Sequence, residues 1–228
     1  MRREIDLQEI SDGKKYTAND MVRMECQECR GCSACCKGMG QSILLDPYDI
    51  YELEKGLHLD FAKLLEQYLE LHVVDGLIIP NLRLEGENGQ CPFLNGQGRC
   101  SIHSFRPGFC RLFPLGRIYE NDTFYYFYQV KECDYPNKAK VKIKKWLDIP
   151  QLSRYEEYIV TYHYFRKRVQ NLLEETENDE LQRSLNLFLL NTFYVNQYDV
   201  ENAEQDFYAQ FAERMEKAKI LVESNPFA

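Results

Sequence analysis

The sequence predicts an α+β protein: a cysteine-rich domain of short strands and helices, followed by a C-terminal helical hairpin or bundle packed on it. Three observations carry that prediction. Five of the nine cysteines crowd into eleven residues, C-Q-E-C-R-G-C-S-A-C-C from Cys26 to Cys36, and a second group answers at Cys91, Cys100, Cys110 and Cys133. Between and around these groups the apolar runs are short and bounded by turn residues, the pattern of small strands. After Trp146 and Pro150 the apolar spacing becomes helical and stays so to the C-terminus. The boundary is set on that change, with residues 1–145 as the cysteine-cluster domain and 146–228 as the helical region.

Residues 1–24 are mixed and charged, an extended arm or short helix with no function assigned. Past the first cysteine group, two glycines and the apolar run Ser42–Leu45 predict a turn into a strand. Asp46 before Pro47 is an N-cap with proline at the first helical position, so a helix is expected over Pro47–Lys55, stopping at Gly56. Asp60 caps a second helix whose Phe61, Leu64, Leu65, Tyr68 and Leu69 form one apolar stripe. From Val73 to Leu84, short strands broken at Asp75-Gly76 and Pro80-Asn81 are predicted. A hairpin follows, Leu115–Tyr119 with Thr123–Lys131, around Glu120-Asn121-Asp122.

Beyond Pro150, three amphipathic helices are expected. Their buried positions are Tyr155, Tyr158, Ile159, Tyr162, Phe165, Val169 and Leu172, then Leu181, Leu185, Phe188 and Leu189, then Phe207, Phe211, Met215, Ala218 and Val222. The joints between them, E-E-T-E-N-D-E and N-Q-Y-D-V-E-N, read as solvated linkers. The tyrosines read as core.

Composition narrows the function. A net charge of −8 offers no general surface for phosphate backbones, so nucleic acid is not an expected partner. The N-terminus places Glu4, Asp6 and Glu9 where an export signal needs an apolar run. No window approaches the roughly 20 apolar residues of a membrane span. A cytoplasmic protein is therefore expected, and in that compartment clustered cysteines point to metal or redox chemistry in place of disulfides.

Cys26, Cys29, Cys32 and Cys35 recur every third residue, which on a straight helix would fan the sulfurs over half the circumference. A loop wrapped around a metal fits better, with Gly31, Gly38 and Gly40 supplying freedom. Adjacent side chains at Cys35 and Cys36 are expected to diverge, to separate centres or with only one ligating. Taken as Cys26, Cys29, Cys32 and Cys36, the spacing C-x2-C-x2-C-x3-C is the ferredoxin run with Lys37 in place of the final proline. A zinc site could instead draw on both groups, since Cys91 and Cys100 flank an Asn95-Gly96…Gly98 turn. Four thiolates around a metal leave negative charge, so cations and N–H donors are expected beside them. Arg30, Lys37, Arg99, Arg106 and Arg111 lie in or next to the two groups, with Arg106 the best candidate for a buried donor. Of the histidines, His103 alone is a candidate ligand.

With both groups laid out, the chain resembles the CxxCxxCC cysteine-cluster family, the YkgJ-like proteins described as zinc- or iron-chelating or Fe–S-cluster-containing. The residues that carry the resemblance are C-R-G-C-S-A-C-C (Cys29, Cys32, Cys35, Cys36), C-P-F-L (Cys91), C-S-I-H-S-F-R-P-G-F-C-R-L-F-P (Cys100, Arg106, Pro107, Cys110, Arg111, Pro114) and the later Cys133. They cover roughly residues 29 to 133, and Cys26 lies outside the motif. The resemblance implies a metal centre. Some relatives are associated with flagellin lysine methylation, which would imply S-adenosylmethionine and a protein lysine substrate.

The expected function is metal binding through Cys29, Cys32, Cys35, Cys36, Cys91, Cys100, Cys110 and Cys133. An Fe–S cluster, [4Fe–4S] by count, stands slightly ahead of zinc or iron, in a redox, sensing or metal-handling role. Two alternatives stand beside it. A metal-dependent protein lysine methyltransferase would use Arg106 and Arg111 to hold a cofactor carboxylate and would bring a protein substrate. A zinc-stabilised interaction module would bring a protein partner to an exposed helix face.

Overall fold

The computed structural model describes residues 7–26, 32–86, 88–133, 135–176, 178–201 and 204–224. In chain order its elements are α1 (Leu7–Ile10), β1 (Met21–Glu25), α2 (Pro47–Leu57), α3 (Phe61–Gln67), β2 (Leu69–Val74), β3 (Leu77–Leu82), α4 (Gly108–Leu112), β4 (Leu115–Glu120), β5 (Thr123–Tyr128), β6 (Ala139–Lys142), α5 (Ile143–Leu147), α6 (Leu152–Glu175), α7 (Asp179–Leu190) and α8 (Phe207–Ser224). The strands form separate two-stranded pairs, β1 with β6, β2 with β3 and β4 with β5, which together with the helices makes an α+β fold. Two compact units result, one of residues 2–43 with 82–152 and one of 44–81 with 153–228. Among the described residues no helix is long and apolar enough to cross a membrane.

In the unit that lacks the cysteines, α2 starts as its sequence dictates. Asp46 Oδ1 accepts from the Asp49 amide and Asp49 returns a bond to the Asp46 amide, a reciprocal cap, with Pro47 in the first turn. The C-terminus differs from expectation. The helix runs through Gly56 to Leu57, and His58 takes the left-handed turn at φ 56°, because the His58 and Leu59 amides both close onto the Glu54 carbonyl. Asp60 caps α3 by accepting from the Lys63 amide, and Phe61 and Leu64 are buried. The expected stripe is cut at Gln67, and Leu69 is buried as the first residue of β2 instead.

The β2–β3 hairpin turns at Asp75 (φ 48°) and Gly76 (φ 79°), the pair of positive φ values that a two-residue turn requires. Pro80 does not break β3, and its carbonyl accepts from the Leu45 amide at 2.9 Å. The expected strand at Ser42–Leu45 is reduced to one bridge, Leu44 opposite Asn81. Asn186 on α7 clips the hairpin turn: its Oδ1 accepts from Ile78 N–H at 2.6 Å, and its Nδ2 donates to the carbonyls of Gly76 (2.9 Å) and Gln182 (3.0 Å).

All three C-terminal helices form. The buried face of α6 ends on Leu173 and not Leu172, one position along the same stripe, while that of α8 is as predicted. On α7, Phe188 is only half-buried and Asn186 takes a buried place beside Leu185 and Leu189. A π-helical turn, Asn191–Val195, extends α7 and buries Phe193 and Tyr194. Most tyrosines of this unit are core, with Tyr68, Tyr164 and Tyr208 half-buried. Tyr158 meets Phe211 edge-on at 4.6 Å, Tyr162 and Tyr194 share a 2.7 Å hydroxyl contact, and Tyr194 donates to the Leu45 carbonyl at 3.3 Å. Burial holds the Tyr158, Tyr162 and Tyr194 phenols protonated, with Tyr162 pushed up to about 12.

In the cysteine-bearing unit, β4 and β5 pair from Leu115↔Tyr128 to Glu120↔Thr123 around Asn121 (φ 50°) and Asp122 (φ 57°). The strand stops at Tyr128, short of the expected Lys131, and the Gln129 amide turns to the Pro114 carbonyl. The N-terminal arm, given no role from sequence, pairs with β5: Tyr16 and Tyr126 exchange amide bonds of 2.8 and 2.9 Å. Gly116 faces Phe127 so closely that a Cβ there would lie 2.2 Å from the ring. Trp146, the only tryptophan in the chain, sits on α5 and donates to the Phe113 carbonyl at 3.1 Å.

Candidate metal centre

Backbone pairing joins the two cysteine groups. Residues Ala34–Cys36 form a 3-10 turn, and the chain then runs alongside the second group. The Cys91 amide donates to the Cys36 carbonyl at 2.9 Å, Lys37 bridges to Gln90, and the Gly38 amide donates to the carbonyls of Asn88 and Gly89, 3.0 Å each. Gly38 holds φ 68°, a left-handed value that glycine adopts at little cost. The Glu85–Gln90 loop is itself closed by two amide bonds of 2.8 and 2.7 Å. Cys91 and Cys100 are brought back toward each other by the Asn95 turn, in which Asn95 Oδ1 accepts from the Gln97 and Arg99 amides at 3.0 Å each. Leu94 bridges to Cys100, and the Ser101 amide donates to the Phe93 carbonyl at 2.8 Å.

That frame sets the electrostatics. Burial pushes the Cys91 thiol up, the Phe93 and Leu94 amides pull it down, and Cys100 and Cys35 raise it again. At Cys100 burial likewise dominates, opposed by the Ile102 amide and the Arg106 guanidinium and reinforced by Cys35. Cys35 is raised first by its hydrogen bond with Cys36 and then by burial, with Arg106 opposing. Cys35, Cys36, Cys91, Cys100 and Arg106 therefore lie within one another's influence. Cys36, adjacent in the same 3-10 turn, is the main cause of the rise at Cys35.

The remaining candidates are distributed around this group. Cys32 is half-buried at the start of the described segment, Cys110 is half-buried on α4, and the Cys133 carbonyl accepts from Lys138 Nζ. Cys26, at the end of β1, is 1% exposed. Cys29, Arg30 and Gly31 lie outside the described residues. His103 Nε2 contacts the Arg106 guanidinium. Arg111 is 5% exposed and donates to four carbonyls: Nε to Arg106 at 3.0 Å, one terminal nitrogen to Leu147 (3.3 Å) and Asp148 (2.7 Å), the other to Ser104.

Among the described residues, no three cysteine, histidine, aspartate or glutamate side chains converge in metal-holding geometry. The chemistry of the donor set nevertheless fits a thiophilic metal. Buried thiols stay protonated unless something neutralises the thiolate, and here the Phe93, Leu94 and Ile102 amides and the positive charge of Arg106 all favour the thiolate. The Cys36–Cys91 amide bond and the Glu85–Gln90 loop were not legible in the sequence, where only Gly86 and Gly89 marked a turn.

A model of the CxxCxxCC family, described as a putative zinc- or iron-chelating domain, matches residues 28–147, just over half of the chain. No curated protein and no solved structure matches.

Proposed function

The chain belongs to the CxxCxxCC family of zinc- or iron-chelating domains, and on that premise we propose that Cys35, Cys36, Cys91 and Cys100 form the nucleus of a thiolate metal centre. Cys29, Cys32, Cys110 and Cys133 are the further thiolates. The observation that carries this reading is the backbone pairing of the two cysteine groups, the Cys91 amide on the Cys36 carbonyl at 2.9 Å and Leu94 bridged to Cys100, at thiols that burial raises and the Phe93, Leu94 and Ile102 amides lower. Donors placed this way stabilise sulfur once it has lost its proton, and metal binding is the event that removes it.

Within this reading an iron–sulfur cluster is placed first, because the C-x2-C spacing provides more thiols than one four-ligand ion needs and because N–H···S bonds tune such clusters. An iron–sulfur cluster would supply one-electron transfer, which suits a redox or sensing role. Zinc is the second reading, favoured by the Asn95 turn between Cys91 and Cys100. The chain's own residues do the same work in both: Phe93, Leu94 and Ile102 donate to sulfur, and Arg106 balances charge.

The test is metal and acid-labile sulfide analysis with a visible spectrum on protein purified without oxygen. Iron with matching sulfide supports the cluster, zinc without sulfide supports the second reading, and absence of both metals overturns chelation. Cys91→Ser and Cys100→Ser should each lower the stoichiometry, and full retention in both would remove them from the ligand set.

A further inference from the structure

We propose that the outer edge of β2 is a self-pairing surface, to which a second copy of this chain adds its own β2 antiparallel about Leu71. The surface lies in the unit without cysteines and is independent of the metal reading. Among the described residues β2 has a hydrogen-bonded neighbour on one side only, β3, and no bridge reaches its other side. An open edge is a template for a further strand, and folded chains ordinarily blunt it with charge, proline, a bulge or a cover. Elsewhere in this chain those devices are present. β1 shifts register between Arg23 and Glu25, β6 carries Lys140 and Lys142, β5 is joined by the N-terminal arm at Tyr16, and β3 contains Pro80 and bridges to Leu44. β2, L-E-L-H-V-V, has neither proline nor lysine, and its Leu71 and Val73 are 37% and 72% exposed.

Which residues of β2 point outward follows from β3. The Ile78 amide donates to Asn186, the Pro80 carbonyl accepts from Leu45 and the Leu82 amide donates to Ile43, so these residues spend their backbone groups away from β2. Leu77, Ile79 and Asn81 therefore face β2, and the two-residue turn at Asp75 and Gly76 sets them against Val74, His72 and Glu70. The outward N–H and C=O groups of β2 are then those of Leu69, Leu71 and Val73. The side chains of these three share one face of the strand. Glu70 and His72 share the other, with His72 Nε2 2.8 Å from Glu70 Oε1.

A two-fold axis makes the strand meet itself, and outward residues must meet outward residues. Pairing Leu69 with Leu71 of the second copy would set Glu70 against Glu70. Pairing Leu71 with Val73 would set His72 against His72. Pairing Leu71 with Leu71 instead sets Glu70 against His72 twice, an acceptor against a donor, at the non-hydrogen-bonded positions where opposed side chains lie closest. The same register places the exposed Val73 opposite Leu69 on the apolar face. One register is thus selected by the order of side chains along the strand.

Sedimentation equilibrium on the full-length chain, kept reduced and loaded over roughly 1 µM to 1 mM, the span of weak association, is the test. Wild type should dimerise within that span. Leu71→Lys sets like charges against each other across the axis, and Glu70→Lys removes the acceptor opposite His72 at two symmetric places. Each should raise the dissociation constant roughly tenfold or more. Combining Glu70→Lys with His72→Glu exchanges the pair and should bring the constant back toward that of wild type, which general loss of an acidic surface group would not do. A wild type that stays monomeric throughout overturns the proposal. So does a dimer that either single variant leaves unchanged, or a double variant that binds no tighter than Glu70→Lys. If Leu71→Lys does not fold, Val73→Lys, at the more exposed position, serves in its place with the same expected loss, and an unchanged dimer again overturns the proposal.

Discussion

Asn186 offers the sharpest test of how the helical unit is held. Its side chain saturates three backbone groups: it accepts from Ile78 and donates to Gly76 and Gln182. Asn186→Ala removes all three bonds. At about 1 kcal/mol each the loss is about 3 kcal/mol, and the better helix propensity of alanine returns about 0.6 kcal/mol, so a net destabilisation of about 2 kcal/mol is expected. In native-state hydrogen exchange that is about a thirty-fold faster rate at the Ile78 amide. Asn186→Asp is the finer probe. It keeps the acceptor for Ile78 but places negative charge against the Gly76 and Gln182 carbonyls, so its folded pKa must lie above the unfolded value. That variant should be weakest at neutral pH and regain stability as pH falls through its folded pKa. Urea unfolding of both variants at pH 4 and pH 7.5, with Ile78 exchange, is the assay. An alanine variant within about 0.5 kcal/mol of wild type, the margin expected of a plain surface change, would refute the reasoning, as would an aspartate variant indifferent to pH.

Three further outcomes are expected. Gly116→Ala would set a methyl 2.2 Å from the Phe127 ring, costing about 1–3 kcal/mol by overpacking; thermal unfolding should show the loss, and Phe127→Ala in the same chain should recover part of it. Glu54 is 3% exposed, and among the described residues no donor lies in good hydrogen-bond geometry to either carboxylate oxygen. Burial raises it to about 7, Asp60 adds to the rise, and the Phe61 amide and Arg214 oppose it. Because the folded state holds its proton more tightly than the unfolded chain, Glu54 costs stability as pH rises from about 4.5 to about 7. Glu54→Gln should remove that cost, gaining up to about 3 kcal/mol over wild type at pH 8 and little at pH 4. His163, depressed to about 4 by burial, Arg166 and Lys167, imposes the opposite slope, so the variant must be read against wild type at each pH; an equal gain at both would refute the assignment. Tyr194→Phe, which removes the hydroxyl shared with Tyr162 and Leu45, should cost about 1 kcal/mol in urea unfolding.

What could be read from sequence was what local chemistry decides. Asp46 and Pro47 set the start of α2, Asp60 set the start of α3, and Asp75-Gly76 and Asn121-Asp122 supplied hairpin turns, because each is a choice made within a few residues. The misses have long-range causes. His58 and not Gly56 ends α2, since the closing amides decide the cap. The N-terminal arm carries no strand pattern, yet β5 offers it an unpaired edge at Tyr126. Nothing in the helical spacing marks Asn186, whose buried place is decided by the distant Gly76 turn. At the proposed centre, spacing singled out the cysteines and the nearby arginines as candidates. It could not reveal that Cys36 and Cys91 meet through the backbone, or that Arg111 reaches the end of α5.

Trp146 gives the molecule an optical reporter of its own. It is the single indole in the chain, it is tied to Phe113, and its neighbour Leu147 is a carbonyl partner of Arg111. Indole emission therefore reports on the cysteine-bearing unit alone, while most of the buried phenols that emit beside it belong to the helical unit. Unfolding followed at the indole band can be assigned to the cysteine-bearing unit without labelling. An iron–sulfur cluster, which absorbs broadly in the visible and near ultraviolet, would darken the indole on loading, whereas zinc, colourless and closed-shell, would leave it bright.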